Sequence, residues 1–361
     1  MKMKMVLFFL AVLLTPATRA FADPDANFYI FLCFGQSNME GGGQIEEQDR
    51  VVDPRFQVLA DFDNPSRGWK NGQWYTAVPP LTHQGESTGI LSAQGNADWT
   101  EPFPPFRIAG NLYYVGSKGL ANYLITTPQG HILINSDLPE NVRLIQASVE
   151  RLGFKFTDIK ILLISHAHWD HNAASDAIKK LTGAKYMVMD ADVSVVESGG
   201  KTDFQYGNVP TSLYTPTRVD GVLHDGDEVR LGGAVLVAHL TPGHTKGCTT
   251  WTMKVQEGDK IYNVVIIGSP NVNGGYRLVN NTAYPQIAAD YEKTFRVLKA
   301  LPCEIFLGAH GNYFDLETKY ARLKDDARPV FVDPEGYKKY VADKEKAFNT
   351  ELAKQRAALP H

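Results

Sequence analysis

The chain has 361 residues, enough for one large domain or two ordinary ones. Its hydrophobic fraction of 43% is normal for a globular protein, and its net charge of -4 offers no basic footprint for nucleic acid. Three cysteines are too few for a disulfide-based scaffold.

The N-terminal segment has the pattern of a secretory signal peptide. Two lysines precede the apolar run 6–14, and Ala20-Phe21-Ala22 offers an A-x-A cleavage site. The run is too short to span a membrane, and a retained membrane anchor is the alternative interpretation. We therefore predict that residues 1–22 are removed and that the mature protein, without a membrane span, is exported to a bacterial periplasm.

Residues 23–95 contain a candidate nucleophile. The apolar stretch FYIFLCFGQSNMEGGG turns sharply at Gly35-Gln36-Ser37-Asn38, which is how several hydrolases expose a serine. It resembles the start of the sialate O-acetylesterase-like carbohydrate esterases of the SGNH type, in which the serine matching Ser37 is the nucleophile. That family also carries an Asp-x-x-His near its end, and no such pair occurs late in this chain. Because a serine without its base is a poor nucleophile, we predict a truncated, non-functional α/β esterase fragment; a working esterase is the alternative.

Beyond a junction near 92–99, the apolar pattern predicts strands and helices in alternation. Paired strands are predicted over 106–116 and 122–136, with a turn at Pro128-Gln129-Gly130. Further strands are predicted over 161–164, 185–189, 229–240 (a pair around two glycines), 249–255 and 261–267. Helices are predicted over 140–152, 173–181, 286–301 and 335–358, the last as a solvated helix that closes the domain.

The stretch 161–172 reads ILLISHAHWDHN and carries the densest set of metal-capable side chains. We expect His166 and His168 to face one cation from a loop at the end of a strand, and Asp170 and His171 to face a second. Imidazole nitrogens and carboxylate oxygens suit zinc. The alternative is a chance cluster, in which the histidines are solvated beside a helix cap.

Two later histidines also follow apolar strands. His244 lies in the turn TPGHTKG, and His310 lies in the small-residue loop LGAHG. A single histidine in a turn is usually polar surface, but the first pair in the cluster lacks a third histidine for its cation. Three strand ends thus offer candidate ligands.

The order H-x-H-x-D-H followed by two single histidines resembles the metallo-β-lactamase superfamily, over residues 100–361. The resemblance implies an α/β fold, a four-layer αββα sandwich with the metals at one edge. It also implies two Zn²⁺ per chain, the first held by His166, His168 and His244, and the second by Asp170, His171 and His310.

One position separates activities within this superfamily. Glyoxalase-type and lactonase-type members carry a bridging aspartate where this chain has Gly268-Ser269. The chain therefore resembles the third subclass of class B β-lactamases. This implies a hydrolase (EC 3.5.2.6) that confers antibiotic resistance by cleaving penicillins, cephalosporins and carbapenems with a hydroxide held by two zinc ions. Asp170 would be the catalytic residue, and Ser269 and Asn271 would bind the substrate; their alternative role is to end a strand in a turn.

Two other functions stay open: another hydrolase of the same fold, such as a lactonase or thioesterase, and a carbohydrate-binding or esterase-derived module. We expect small-molecule β-lactam substrates, no nucleic acid partner and a monomer. Relatives often pair the cysteine matching Cys303, but no cysteine follows it here, so we expect it to be free. Cys248 is expected to pack, with a Cys248–Cys303 bridge left open.

Overall fold

The computed structural model describes residues 97–323 and 330–359, together with the backbone of 67–70 and 73–76. The chain divides into two compact units, Met1–Gly89 and Ile90–His361. In the first unit, strands β1 (Arg67–Lys70) and β2 (Gln73–Thr76) pair antiparallel. The predicted signal peptide and Ser37 lie outside the described residues.

The second unit begins with a seven-stranded sheet whose strands follow chain order. The strands are β3 (Phe106–Ala109), β4 (Leu112–Tyr114), β5 (Tyr123–Thr127), β6 (Gly130–Ile134), β7 (Ile159–Leu163), β8 (Lys185–Met189) and β9 (Gly221–Leu223). The pairs from β3 to β6 are antiparallel, and those from β6 to β9 are parallel. Parallel neighbours need long crossover connections, which explains why helices enter the chain only after β6.

A five-stranded sheet follows, again in chain order. The strands are β10 (Glu228–Leu231), β11 (Ala234–Leu240), β12 (Thr249–Glu257), β13 (Lys260–Ile267) and β14 (Ile305–Gly308). Only the last pair, β13 with β14, is parallel. The helices are α1 (Val142–Arg151), α2 (Trp169–Asn172), α3 (Ser175–Thr182), α4 (Asp190–Glu197), α5 (Ile287–Ala300), α6 (Leu316–Arg322) and α7 (Pro334–Ala357).

Alternation along the strands of the first sheet builds two separate apolar layers. Leu124, Leu133 and Leu162 pack with residues of α1, α3 and α4, whereas their neighbours in the same strands pack toward the second sheet. Residues of α5 and α7 pack on the far side of that second sheet. The layers therefore run helix, sheet, sheet, helix, and the predicted αββα sandwich is confirmed.

Helix α7 differs from its prediction as a solvated helix. Tyr337, Val341, Phe348 and Leu352 are buried along one side of it. Their spacing of four, seven and four residues returns to one face of a helix, which the many charged residues between them conceal. The helix is therefore a packed outer layer and not a solvated cap.

Two short helices also depart from the predicted pattern. Asp170 and His171 were expected on a loop, but they lie in α2, a single helical turn that begins at Trp169. Helix α4 was not predicted at all; it starts at Asp190, immediately after β8 ends. Among the described residues, no helix is long and apolar enough to cross a membrane.

Helix α7 begins with a carboxylate that has two partners. Asp333 accepts a hydrogen bond from the backbone N–H of Gly336 at 2.9 Å, and its other oxygen lies 2.7 Å from Nζ of the buried Lys319.

We predict that Asp333→Ala lowers the free energy of unfolding by about 2 kcal/mol, since it removes a helix cap and leaves the buried ammonium group of Lys319 without its carboxylate partner. Urea unfolding followed by circular dichroism measures this. The control is Asp343→Ala in the exposed pair with Lys339, which should leave the midpoint unchanged; equal midpoint shifts in the two variants would contradict the prediction.

Candidate metal centre

The ends of three strands bring six metal-capable side chains together. His166 and His168 follow β7, His244 follows β11, and His310 follows β14. Asp170 and His171 lie in α2, directly beyond the first pair. All of these side chains are buried except that of His310, which is 17% exposed. The sheets therefore place every ligand predicted from the sequence at one edge of the sandwich.

The first cluster is formed by His166, His168 and His244. One nitrogen from each lies within 4.8 Å of the others. The three ring centroids are 4.6–4.8 Å apart, and the rings stand steeply to one another, at 69–89°. Three imidazoles that surround one point in this way match the histidine set of a catalytic zinc site.

The second cluster is formed by Asp170, His171 and His310. Nε2 of His171 lies 3.1 Å from Nε2 of His310 and 3.3 Å from Oδ2 of Asp170, and the third side of the triangle measures 3.6 Å. Zinc bonds of about 2.0–2.1 Å place tetrahedral ligand atoms roughly 3.3 Å apart. The spacing therefore fits a divalent cation of that size. His166 also lies within 4.8 Å of Asp170 and His171, so the two clusters adjoin.

The outer nitrogens of the first cluster each face a neighbouring group. His244 Nδ1 lies 2.8 Å from the backbone oxygen of Asn271, and His166 Nδ1 lies 3.2 Å from Ser165 Oγ. His168 Nε2 lies 3.7 Å from Oδ2 of the buried Asp203. Such contacts orient the rings of metal-binding histidines. Asp203 gave no signal in the sequence, because it lies in a loop without regular pattern.

A buried nitrogen without a partner indicates that the first cluster binds a cation. Within the described part of the chain, Nε2 of His166 has no hydrogen-bond partner, whereas Nδ1 of the same ring faces Ser165. Buried polar atoms are normally satisfied, so an unpaired nitrogen in a histidine cluster calls for a ligand. The residues present fit zinc in number, chemistry and spacing.

Electrostatics keep the cluster in the form that binds metal. Burial, followed by repulsion from neighbouring histidines, lowers the pKa of His166 well below its ordinary value and that of His310 to about 3. Burial opposes ionisation of Asp170, but the nearby histidines outweigh it and lower its pKa. Near neutral pH the site therefore presents imidazole lone pairs and one carboxylate.

Asp192, which the sequence analysis missed, joins the two loops that carry the first cluster. Its buried carboxylate accepts hydrogen bonds from the backbone N–H of Ala167 at 3.0 Å, the hydroxyl of Thr245 at 2.8 Å and the backbone N–H of Gly247 at 2.8 Å. Burial raises its pKa to about 6 despite these donors. Asp192 thereby fixes the approach of His244 to His166 and His168.

Ser269 and Asn271, predicted to bind substrate, lie beside the centre after β13. The amide of Asn271 donates to the hydroxyl of Tyr313 at 2.6 Å, and Ser269 Oγ lies 3.2 Å from the same hydroxyl. Tyr313 and Trp99 both pack near His310, with ring centroids 5.0 and 5.8 Å away. The sequence analysis assigned no role to either aromatic residue.

Both described cysteines are free. Cys248 is buried, and its sulfur accepts a hydrogen bond from the backbone N–H of Ser269 at 3.2 Å. Cys303 is partly buried near the start of β14. The expectation of an unpaired Cys303 is confirmed, and the bridge between the two cysteines does not form.

Comparison with known families defines the class of protein. A profile of the metallo-beta-lactamase superfamily matches residues 121–310, more than half of the chain. The chain therefore belongs to the metallo-beta-lactamase superfamily.

Comparison with solved structures identifies a more specific similarity within this superfamily. The FEZ-1 metallo-beta-lactamase from Legionella gormanii is 60% identical, with a TM-score of 0.70, over 71% of this chain and 98% of that chain. BJP-1, a subclass B3 metallo-beta-lactamase of Bradyrhizobium japonicum, is 37% identical with a TM-score of 0.69, over 73% and 99% of the two chains. The chain is thus structurally close to class B3 metallo-beta-lactamases.

Curated relatives include other hydrolases of the same fold. A hydroxyacylglutathione hydrolase of Rhodopseudomonas palustris is 30% identical over 124 residues, 34% of this chain and 39% of that protein. The chain spans 34%, 44% and 39% of the lengths of the first three curated relatives that it matches.

We predict that Asp192→Ala destabilises the protein by about 3 kcal/mol or more, because three donors lose their acceptor inside the protein. The same change should lower the metal content of the purified protein, since the His244 loop is released from the β7 loop. Thermal unfolding and elemental analysis measure the two effects. Asp190→Asn, at an exposed position of the same helix, is the control. Full stability and metal content in Asp192→Ala would refute the role assigned to this carboxylate.

Proposed function

We propose that this chain is a zinc-dependent β-lactamase of the third subclass of class B, acting on penicillins, cephalosporins and carbapenems. The observation that carries the proposal is the second cluster of Asp170, His171 and His310, beside which β13 delivers the hydroxyl of Ser269 in place of a bridging carboxylate. The identity of 60% to FEZ-1 over nearly all of that enzyme supports the same assignment.

We propose two zinc ions per chain, with His166, His168 and His244 holding the first and Asp170, His171 and His310 the second. The support lies in the distances within each cluster and in the unpaired, buried Nε2 of His166. Zinc in such a pair of sites lowers the pKa of water and polarises a carbonyl oxygen.

The chain's own residues supply orientation and proton transfer. Asp170 is ionised, so one of its oxygens can accept a hydrogen bond from the attacking water and hold it in line with the lactam carbonyl. The same carboxylate can then carry a proton toward the departing amide nitrogen. Ser269 and Asn271 would hold the substrate carboxylate, and Trp99 would form a wall of the pocket on the His310 side.

A second candidate is hydrolysis of thioesters or lactones within the same fold. It is favoured by the curated relatives, which include an acyl carrier protein thioesterase and the hydroxyacylglutathione hydrolase. Ser269 argues against it, because glyoxalase-type and lactonase-type enzymes carry a bridging aspartate at this position.

We also propose export to the periplasm after removal of residues 1–22, and an inactive esterase-derived segment ahead of the metal domain.

We predict that the purified mature protein hydrolyses nitrocefin and imipenem, that excess EDTA abolishes this activity and that added zinc restores it. Asp170→Asn should lower kcat about 100-fold or more, because the proton carrier is lost. The control is His224→Ala, which changes an exposed histidine distant from the ligands in sequence. Turnover of S-lactoylglutathione or an acyl homoserine lactone without turnover of β-lactams would favour the second candidate.

The esterase-derived alternative has its own test. We predict that deleting residues 23–95, with the leader kept for export, leaves kcat/KM for nitrocefin within about threefold, because every proposed ligand lies beyond the deletion. Steady-state kinetics of the two chains measure this. Loss of hydrolysis in a folded, zinc-loaded deletion variant would show that the N-terminal segment contributes to function.

A further inference from the structure

The hydroxyl group of Tyr313 connects the loop after β13 to the segment after His310 by hydrogen bonds. Tyr313 accepts a hydrogen bond from Nδ2 of Asn271 at 2.6 Å, and it lies 3.2 Å from Ser269 Oγ. A phenol has one hydrogen to donate, and the Asn271 nitrogen can only donate. The Tyr313 oxygen therefore accepts from Asn271, and one of the two hydroxyls, of Tyr313 or of Ser269, donates to the other.

This arrangement gives the loop after β13 two groups that can donate to a ligand. Ser269 Oγ accepts a hydrogen bond from the backbone N–H of Asn271 at 3.4 Å, and its own hydrogen can serve a ligand when Tyr313 donates to it. Nδ2 of Asn271 carries two hydrogens, of which Tyr313 accepts one. With Nδ2 held by Tyr313, two donors come from the same short loop.

The loop after β13 and Tyr313 each contact one of the metal clusters. The backbone oxygen of Asn271 is bonded to His244, a member of the first cluster. The ring of Tyr313 lies 5.0 Å from that of His310, a member of the second. A ligand bound at the metal centre would therefore lie close to this loop.

The ammonium group of Lys344 lies near the ring of the same tyrosine. Nζ of Lys344, on α7, lies 5.9 Å from the ring centroid of Tyr313 and 5.2 Å from that of Tyr340. Within the described part of the chain, no carboxylate lies within ion-pair distance of this half-buried lysine. Lys344 also lines a cavity of about 320 Å³ with Asn271, and the other charged groups of its lining, Glu351 and Lys354, pair with each other. Its charge favours an anion on the α7 side of the centre.

We propose that Tyr313 is a positioning residue that makes Ser269 and Asn271 a donor pair for the carboxylate of the substrate, with Lys344 adding positive charge. The inference rests on the proposed β-lactam substrate. Without the Tyr313 hydroxyl, the Asn271 amide is free to turn its oxygen toward the site, where it would repel a carboxylate. Tyr313 would then affect binding of the acid and not the reaction itself.

The test is Tyr313→Phe in the zinc-loaded protein, because this change removes the hydroxyl and keeps the ring against His310. KM and kcat are measured for benzylpenicillin and for its methyl ester. We expect KM for the acid to rise about tenfold, kcat to stay within about twofold, and KM for the ester to stay unchanged. Tyr320→Phe is the matched control, since the ring of this α6 tyrosine packs against Phe103 and Phe106.

A binding measurement separates this inference from the proposed function. Calorimetry with 3-mercaptopropionate and with its methyl ester needs no hydrolysis. We expect Tyr313→Phe to weaken the acid about tenfold and the ester not at all. If the wild-type protein hydrolyses no β-lactam, the proposed function fails while calorimetry still decides the inference. Equal effects on acid and ester, no effect on either, or a wild-type protein that does not prefer the acid would overturn it.

Discussion

The metal centre depends on a single buried carboxylate, Asp192, which bonds to two loops that start from different sheets. Burying a carboxylate costs free energy unless it is hydrogen bonded, so the donors of Ala167, Thr245 and Gly247 stabilise Asp192 in its buried position, and Asp192 in turn holds their loops together. Because rigid strands end just before both loops, this one acceptor fixes the ligands relative to each other. Tyr313 and Asn271 then contact histidines of a site in which Asp192 has already positioned the two loops.

The six candidate ligands could be recognised in the sequence because their signal is local. His166, His168, Asp170 and His171 lie within six residues after an apolar strand, and His244 and His310 each follow another strand. The groups that orient them carry no such signal. Asp203 lies in an irregular loop and Tyr313 in a single 3₁₀ turn, Gly311–Tyr313. Each becomes relevant only when tertiary structure brings it to a histidine or an asparagine. Contacts of this kind depend on how loops cross, which periodicity does not encode.

The sheets were predictable from alternation, and β8 begins and ends at the predicted residues. The helices were harder to judge. Helix α7 buries only four residues, and its lysines and glutamates dominate the pattern, so a packed layer looks solvated in the sequence. Short helices such as α2 have too few turns to show a period, and the layers they join decide whether they form.

Each cluster draws its donors from both halves of the sandwich. The β7 segment supplies two side chains to each cluster, and the second sheet completes them with His244 and His310. Without the second sheet, the first cluster lacks His244 and the second lacks His310, although His166, Asp170 and His171 of the β7 segment lie within 4.8 Å of one another. A nascent chain that has emerged only as far as β12 carries four candidate ligands of the first half and His244, but the second cluster stays incomplete until β14 is added beside β13. On the proposed assignment, binding of the second zinc ion requires that the last strand has joined the sheet, and the two ions would connect the two sheets through their ligands.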